Sequence, residues 1–149
     1  WFVVAGLPGA ALYRFANTAD AMWGYRGERQ GRDWTWAGKW AARADDVLSW
    51  VPARITAALL AALVAARRCK ALPAQARRTP SPNSGWPMAA MALALDVRLG
   101  KPGVYELHGA GRSPQAADTV HALQLAGRVV GVLALAALAW AVLAGRVLP

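Results

Sequence analysis

Residues 129–145 read VVGVLALAALAWAVLAG, set between Arg128 and Arg146. The run carries no charge, is dominated by Ala, Leu and Val, and holds Trp140 near one end. A helix needs about 20 apolar residues to cross a bilayer, with a lower bound of roughly 17. The run sits at that bound, and basic flanks with a border tryptophan are how spans meet the headgroup region. A transmembrane helix is therefore expected over 125–146. The fold class that follows is mainly α, a polytopic or membrane-embedded helical protein with polar cytoplasmic loops.

Three other apolar segments meet the same length test less well. Residues 47–66 are long enough, but contain Pro52 and Arg54, and the uninterrupted part, 55–66, is too short to cross alone. Residues 86–95 are shorter still and end at Asp96 and Arg98, which suits a buried or re-entrant helix. Residues 1–12 open in mid-run at Trp1, with no basic stretch leading to a small-residue cleavage site, so a piece of a longer protein is expected rather than a signal peptide. Basic residues concentrate at 26–43 and 67–78. If 47–66 crossed once, one of these stretches would lie outside, against the positive-inside bias, so a non-crossing or hairpin arrangement is expected there.

Composition agrees with a membrane border. In 149 residues, 17 Lys plus Arg stand against 8 Asp plus Glu, a formal charge of +9, while 56% of residues are apolar and only 17% charged. That apolar share excludes disorder, and the irregular Gly and Pro spacing excludes a collagen-like or coiled-coil rod. The positive excess raises nucleic-acid binding, but acids at Glu28, Asp33, Asp45 and Asp46 share the first basic stretch and no reader module is present, so no nucleic-acid partner is expected. A single cysteine, Cys69, removes any intramolecular disulfide or CxxC site. Length allows one domain.

Helices are expected at 10–22, 37–50, 53–71, 86–98 and 116–146, all rich in Ala, Leu, Met and Arg. Breaks are expected at 24–31, at the Pro-rich stretch 72–87 and at 100–114, and no strand is expected because 3–4 and 104–105 are too short to alternate.

Three polar clusters lie among these apolar segments. The first holds Asn17, Thr18, Asp20, Met22, Gly24, Tyr25 and Arg26; Asn17 and Asp20, three apart, share a helix face. The second runs from Ala42 and Arg43 through Asp45 and Asp46 to Pro52, Ala53, Arg54, Thr56 and Ala57. The third is Ala76-Arg77-Arg78-Thr79-Pro80-Ser81-Pro82-Asn83-Ser84-Gly85-Trp86-Pro87. Taken singly, each has a plain reading: acids near a helix start, a snorkelling arginine, a rigid turn.

In order and spacing, the clusters together resemble the CobD/CbiB family of cobalamin-biosynthesis proteins, the adenosylcobinamide-phosphate synthases of the bacterial inner membrane. The family segments N-T-x-D-x-M-x-G-Y, A-R-x-D-D-x-x-x-x-x-P-A-R-x-T-A and A-R-R-x-P-S-P-N-x-G-W-P are met in turn. The resemblance covers about residues 1–105 and looks like the C-terminal half of a family member. It implies a C-terminal portion of one membrane-associated helical domain over 1–149, multi-pass, with motif loops facing the cytoplasm. Departures are Met88, where the family usually has Glu, and Gln75 and Thr79, where Asp and His are frequent.

The resemblance implies joining of a carboxylate of adenosylcobyric acid to (R)-1-aminopropan-2-ol or its phosphate, driven by ATP with Mg2+, beside a lipid bilayer and other cobalamin-assembly proteins. Asp20, Asp45 and Asp46 are then the candidate magnesium ligands, since that ion takes one or two carboxylates plus phosphate and water. Substrate contacts are expected from Asn17, Thr18, Asp20, Tyr25, Arg26, Arg43, Arg54, Arg77, Arg78, Ser81, Asn83 and Trp86, the arginines as bidentate clamps on phosphate or carboxylate. No general base stands out, His108 and His121 being the two imidazoles. No phosphate-binding glycine motif is present, so ATP rests on the resemblance alone. Two other readings are a non-catalytic inner-membrane partner or signalling protein on the same scaffold, and an anionic-lipid or nucleic-acid binder driven by charge alone.

Overall fold

The computed structural model describes residues 1–24, 27–36, 38–62 and 69–147. The chain forms two compact units, one of residues 1–49 with 140–149 and the other of 50–139, so that the boundaries fall inside helices.

In the first unit, α1 spans Phe2–Trp23 and is broken at Ala5 and Gly6, where Gly6 takes φ +60 two residues before Pro8. A short hairpin follows, with β1 at Glu28–Arg29 and β2 at Arg32–Asp33. Its two turn residues, Gln30 and Gly31, both have positive φ, as a type I′ turn demands. α2, Lys39–Ala62, begins in this unit and continues into the next. Gly38, just before α2, is required by close approach: a Cβ there would lie 1.7 Å from the Trp23 carbonyl oxygen. The buried residues here are small, Ala16, Ala19 and Ala41.

In the second unit, α3 is Leu72–Ala76 and α4 is Gly85–Leu95. The hairpin of β3, Leu99–Lys101, and β4, Tyr105–Leu107, follows α4. Its turn has Pro102, then Gly103 at φ +70, closed by Val104 N–H to the Lys101 carbonyl at 3.0 Å, the pattern of a type II turn. The core joins Ala57 and Leu60 of α2 to Leu72, Ala76, Ala89, Ala90, Leu93 and Leu107. Half of its buried residues are alanines, so burial per residue is modest. α5, Ala116–Val147, is the last helix. An 18-residue window within Ala116–Gly145 has mean hydropathy 2.0 and is almost wholly uncovered, with Leu135, Leu138, Trp140 and Leu143 exposed. Among the described residues it alone is long and apolar enough to cross a membrane.

The expected helical class and the last helix hold; among the described residues one helix is long and apolar enough to span, which does not show a polytopic arrangement. Two expectations are corrected. Strands exist, two hairpins whose arms are too short to show alternation and are closed by turn chemistry instead. The helices expected separately at 37–50 and 53–71 are not divided at Pro52: α2 runs through it. The expected helix to residue 71 falls partly on 63–68, outside the described residues.

Candidate functional site

Two clusters of motif residues form, one in each unit. In the first, Gly24 ends α1, its N–H bonded to the Asp20 carbonyl at 2.7 Å. A Cβ at 24 would lie 2.1 Å from Asp20 Oδ1, so glycine at that position lets the Asp20 carboxylate fold over the helix end. Asn17 Nδ2 donates to Asp45 Oδ1 at 3.2 Å, and the Ser49 hydroxyl donates to the same oxygen at 3.2 Å. Desolvation first, and then the Asp45 charge, raise the Asp20 carboxyl above its usual 3.8. Asp46 is raised by desolvation, then by Asp45 and Asp20. Three carboxylates thus repel one another in a half-buried place, the condition a cation relieves.

Beside them lies an open cleft of about 540 Å3, bordered by Gly24, Thr35, Trp36, Lys39, Arg43 and Asp46. Lys39 Nζ sits 4.3 Å from the Trp36 ring centroid. Arg43 and the exposed Thr18 carry no contact that tethers them in the way Asn17 is tethered. Tyr25 and Arg26 lie outside the described residues. Magnesium takes few protein ligands, a need that one or two of the carboxylates Asp20, Asp45 and Asp46 would meet; Asp45 also accepts from Asn17 and Ser49. Among the described residues no group of three or more His, Cys, Asp or Glu is placed to hold one ion, so a cation here would rest on one or two carboxylates.

In the second unit the Pro-rich loop is fastened from several sides. The Ser81 hydroxyl oxygen accepts the N–H of Asn83 at 3.3 Å and of Ser84 at 3.2 Å. Buried Thr79 Oγ1 lies 3.2 Å from the Ala76 carbonyl and 2.9 Å from that of Ser81. Arg54 Nη1 donates to Asn83 Oδ1 at 2.5 Å and Nη2 to the Pro82 carbonyl at 3.1 Å, and Trp86 lies beneath the guanidinium at 5.0 Å. Arg77 and Arg78 are exposed, Arg78 Nη1 reaching the Glu106 carbonyl at 3.3 Å. Asn83 is only 5% exposed.

The three departures from the family pattern have structural partners. Gln75 Oε1 accepts the His108 N–H at 2.8 Å, Thr79 packs under the loop, and the Tyr105 hydroxyl lies 3.8 Å from Met88 Sδ. His108 Nε2 is 2.7 Å from Asp96 Oδ1, a pair that sequence reasoning did not join. Lys39, a cleft residue outside the three motif clusters, stands in the first basic stretch, where sequence alone does not mark which cation borders a cleft.

The CobD/Cbib protein family matches residues 1–130. The chain is 49% identical over 140 residues to a cobalamin biosynthesis protein CobD of Stutzerimonas stutzeri, covering 89% of this chain and 45% of that one. Against the protein of that name in Chromobacterium violaceum, identity is 43% over 155 aligned positions, covering 99% and 48%. Against that of Halalkalibacterium halodurans it is 48% over 111, covering 70% and 34%. The chain spans less than half the length of these relatives. No solved structure matches.

Proposed function

Since the chain belongs to the CobD/CbiB protein family, we propose that it serves cobalamin biosynthesis in ATP-dependent amide formation between adenosylcobyric acid and (R)-1-aminopropan-2-ol or its phosphate. The observation that carries the reading is the first unit's cleft, where Lys39 and Arg43 stand beside Asp46 and its neighbouring carboxylates. Two basic groups and an acid on one cleft, with two further carboxylates near that acid, suit a polyphosphate carried with a divalent cation.

In this reaction a substrate carboxylate oxygen takes the terminal phosphoryl group, giving an acyl phosphate and ADP. The amine then attacks the acyl carbon, and inorganic phosphate leaves. Lys39 and Arg43 would hold phosphate oxygens and stabilise their developing charge; Asp46 and Asp20 would hold the magnesium ion, which neutralises phosphate charge when bound. Arg77 and Arg78, exposed at the start of the Pro-rich loop, are suited to a carboxylate or phosphate of the corrinoid or amine partner. α5 would place the protein at the inner membrane.

Complementation tests this. A synthase-deficient strain fed cobyric acid should regain cobalamin with the family-length protein carrying this chain, and lose it with Asp46→Asn or Arg78→Ala. Growth that never returns with the unaltered protein would favour the non-catalytic partner. Unchanged cobinamide formation in both variants would overturn the assigned roles.

A further inference from the structure

Arg54 stands apart from the other motif arginines in how fully its donors are engaged. Nη1 donates both to the Trp50 carbonyl at 3.1 Å and to Asn83 Oδ1 at 2.5 Å, while Nη2 donates to the Pro82 carbonyl at 3.1 Å. The Trp50 and Trp86 rings lie 4.5 and 5.0 Å from its Cζ, within cation–π range. Bidentate capture of phosphate or carboxylate uses two parallel N–H groups on one guanidinium edge. On Arg54 the edge formed by Nη1 and Nη2 already holds Asn83 and Pro82. Arg77 and Arg78, by contrast, are exposed.

We propose that Arg54 is a positioning residue: it fixes the turn at Pro82 and Asn83 and acts on the reaction through Asn83, rather than gripping an anionic substrate itself. The bond from Arg54 takes the acceptor end of the Asn83 carboxamide and so sets which way its NH2 end points. Ser81 pins the backbone of the same turn from the other side, and Gly85 follows as the first residue of α4. A charge-assisted bond to a buried amide, stacked against indoles, removes rotamer freedom before substrate arrives. The step from turn to reaction rests on the amide-forming reading; the fixing of the turn does not.

Two measurements on the family-length protein separate these. Hydrogen exchange of Arg54→Lys should rise at least tenfold at residues 83–85 and stay unchanged at 90–95; unchanged exchange at 83–85 would overturn the proposal. In steady-state assays, Arg54→Met and Asn83→Ala should each lower kcat tenfold or more, with KM for nucleotide and for the carboxylate substrate within twofold. The double variant should be no slower than Asn83→Ala, because both remove one device. A tenfold rise in KM at constant kcat, or losses that multiply, would make Arg54 an independent substrate clamp instead. If Arg54→Met does not fold, the same cycle is read with Arg54→Lys. If the unaltered protein makes no amide, the functional reading fails and the exchange result alone decides whether Arg54 positions the turn.

Discussion

Trp1 Nε1 donates to the Leu48 carbonyl at 3.0 Å, and Leu48 is the residue four before Pro52. Proline has no N–H, so α2 cannot give that carbonyl its ordinary helical donor. The indole of α1's N-cap residue supplies one instead, and α2 continues through Pro52 from Lys39 to Ala62. Trp1→Phe keeps an aromatic side chain, though a smaller one, and removes the donor, and should cost about 1 kcal/mol in denaturant unfolding. With alanine at 52 restoring the backbone donor, the same change should cost close to nothing.

The acid cluster gives a pH dependence whose sign is opposite to that of a salt-bridged carboxylate. Asp20 and Asp46 have folded values raised above the usual 3.8, so the folded state holds their protons more tightly than the unfolded state. Their contribution favours folding below that usual value and is lost as pH rises through the folded values. At neutral pH they oppose folding. Asp46→Asn should therefore raise the melting temperature at pH 7, with the gain vanishing in acid below the unfolded value. Added magnesium should raise the melting temperature of the unaltered protein more than that of the variant, read by thermal shift.

Gly85 tests the packing that holds the Pro-rich loop. A Cβ there would lie 2.0 Å from the Ala76 carbonyl oxygen and 2.5 Å from Thr79 Oγ1. The first of these is backbone and cannot swing aside. Gly85→Ala should destabilise by about 1–3 kcal/mol, the usual range for overpacking. Loss of cooperativity or a lowered midpoint in urea checks it.

The exposed apolar surface of α5 predicts membrane residence. Leu138 is 63% exposed near the middle of the uncharged run. Leu138→Arg places a charge there at a cost of roughly 2.5–3.5 kcal/mol on insertion scales, offset for no other residue. The variant should shift from the membrane pellet toward the soluble fraction, or into degradation, on fractionation. An unchanged distribution would mean that this helix does not cross.

How much could be read beforehand differs by element. α5 was legible because an uncharged Ala, Leu and Val run between arginines needs no partner to be recognised. The hairpins were not, since arms of two and three residues carry no periodicity. Of their turn residues, Pro102-Gly103 did carry a signal, in φ requirements rather than in hydropathy, whereas Gln30 at φ 54 is not a residue that announces such a turn. The Asp20, Asp45 and Asp46 grouping was legible as chemistry but not as geometry. It depends on glycine at 24 and 38, which permit contacts that a side chain would block.

Sequence by itself determined the helical class, the family and which residue types the chemistry has at hand, because apolar runs and motif spacing are local properties. Only the tertiary structure decided which arginine is already engaged. Arg54, Arg77 and Arg78 look alike as text, and the difference lies in long-range partners. Asn83 stands 29 residues from Arg54 and takes one of its N–H groups, with the Trp50 and Pro82 carbonyls taking others, while Arg77 stays exposed and Arg78 reaches a hairpin carbonyl. A guanidinium's function is set by where its N–H groups end, and that is a property of packing.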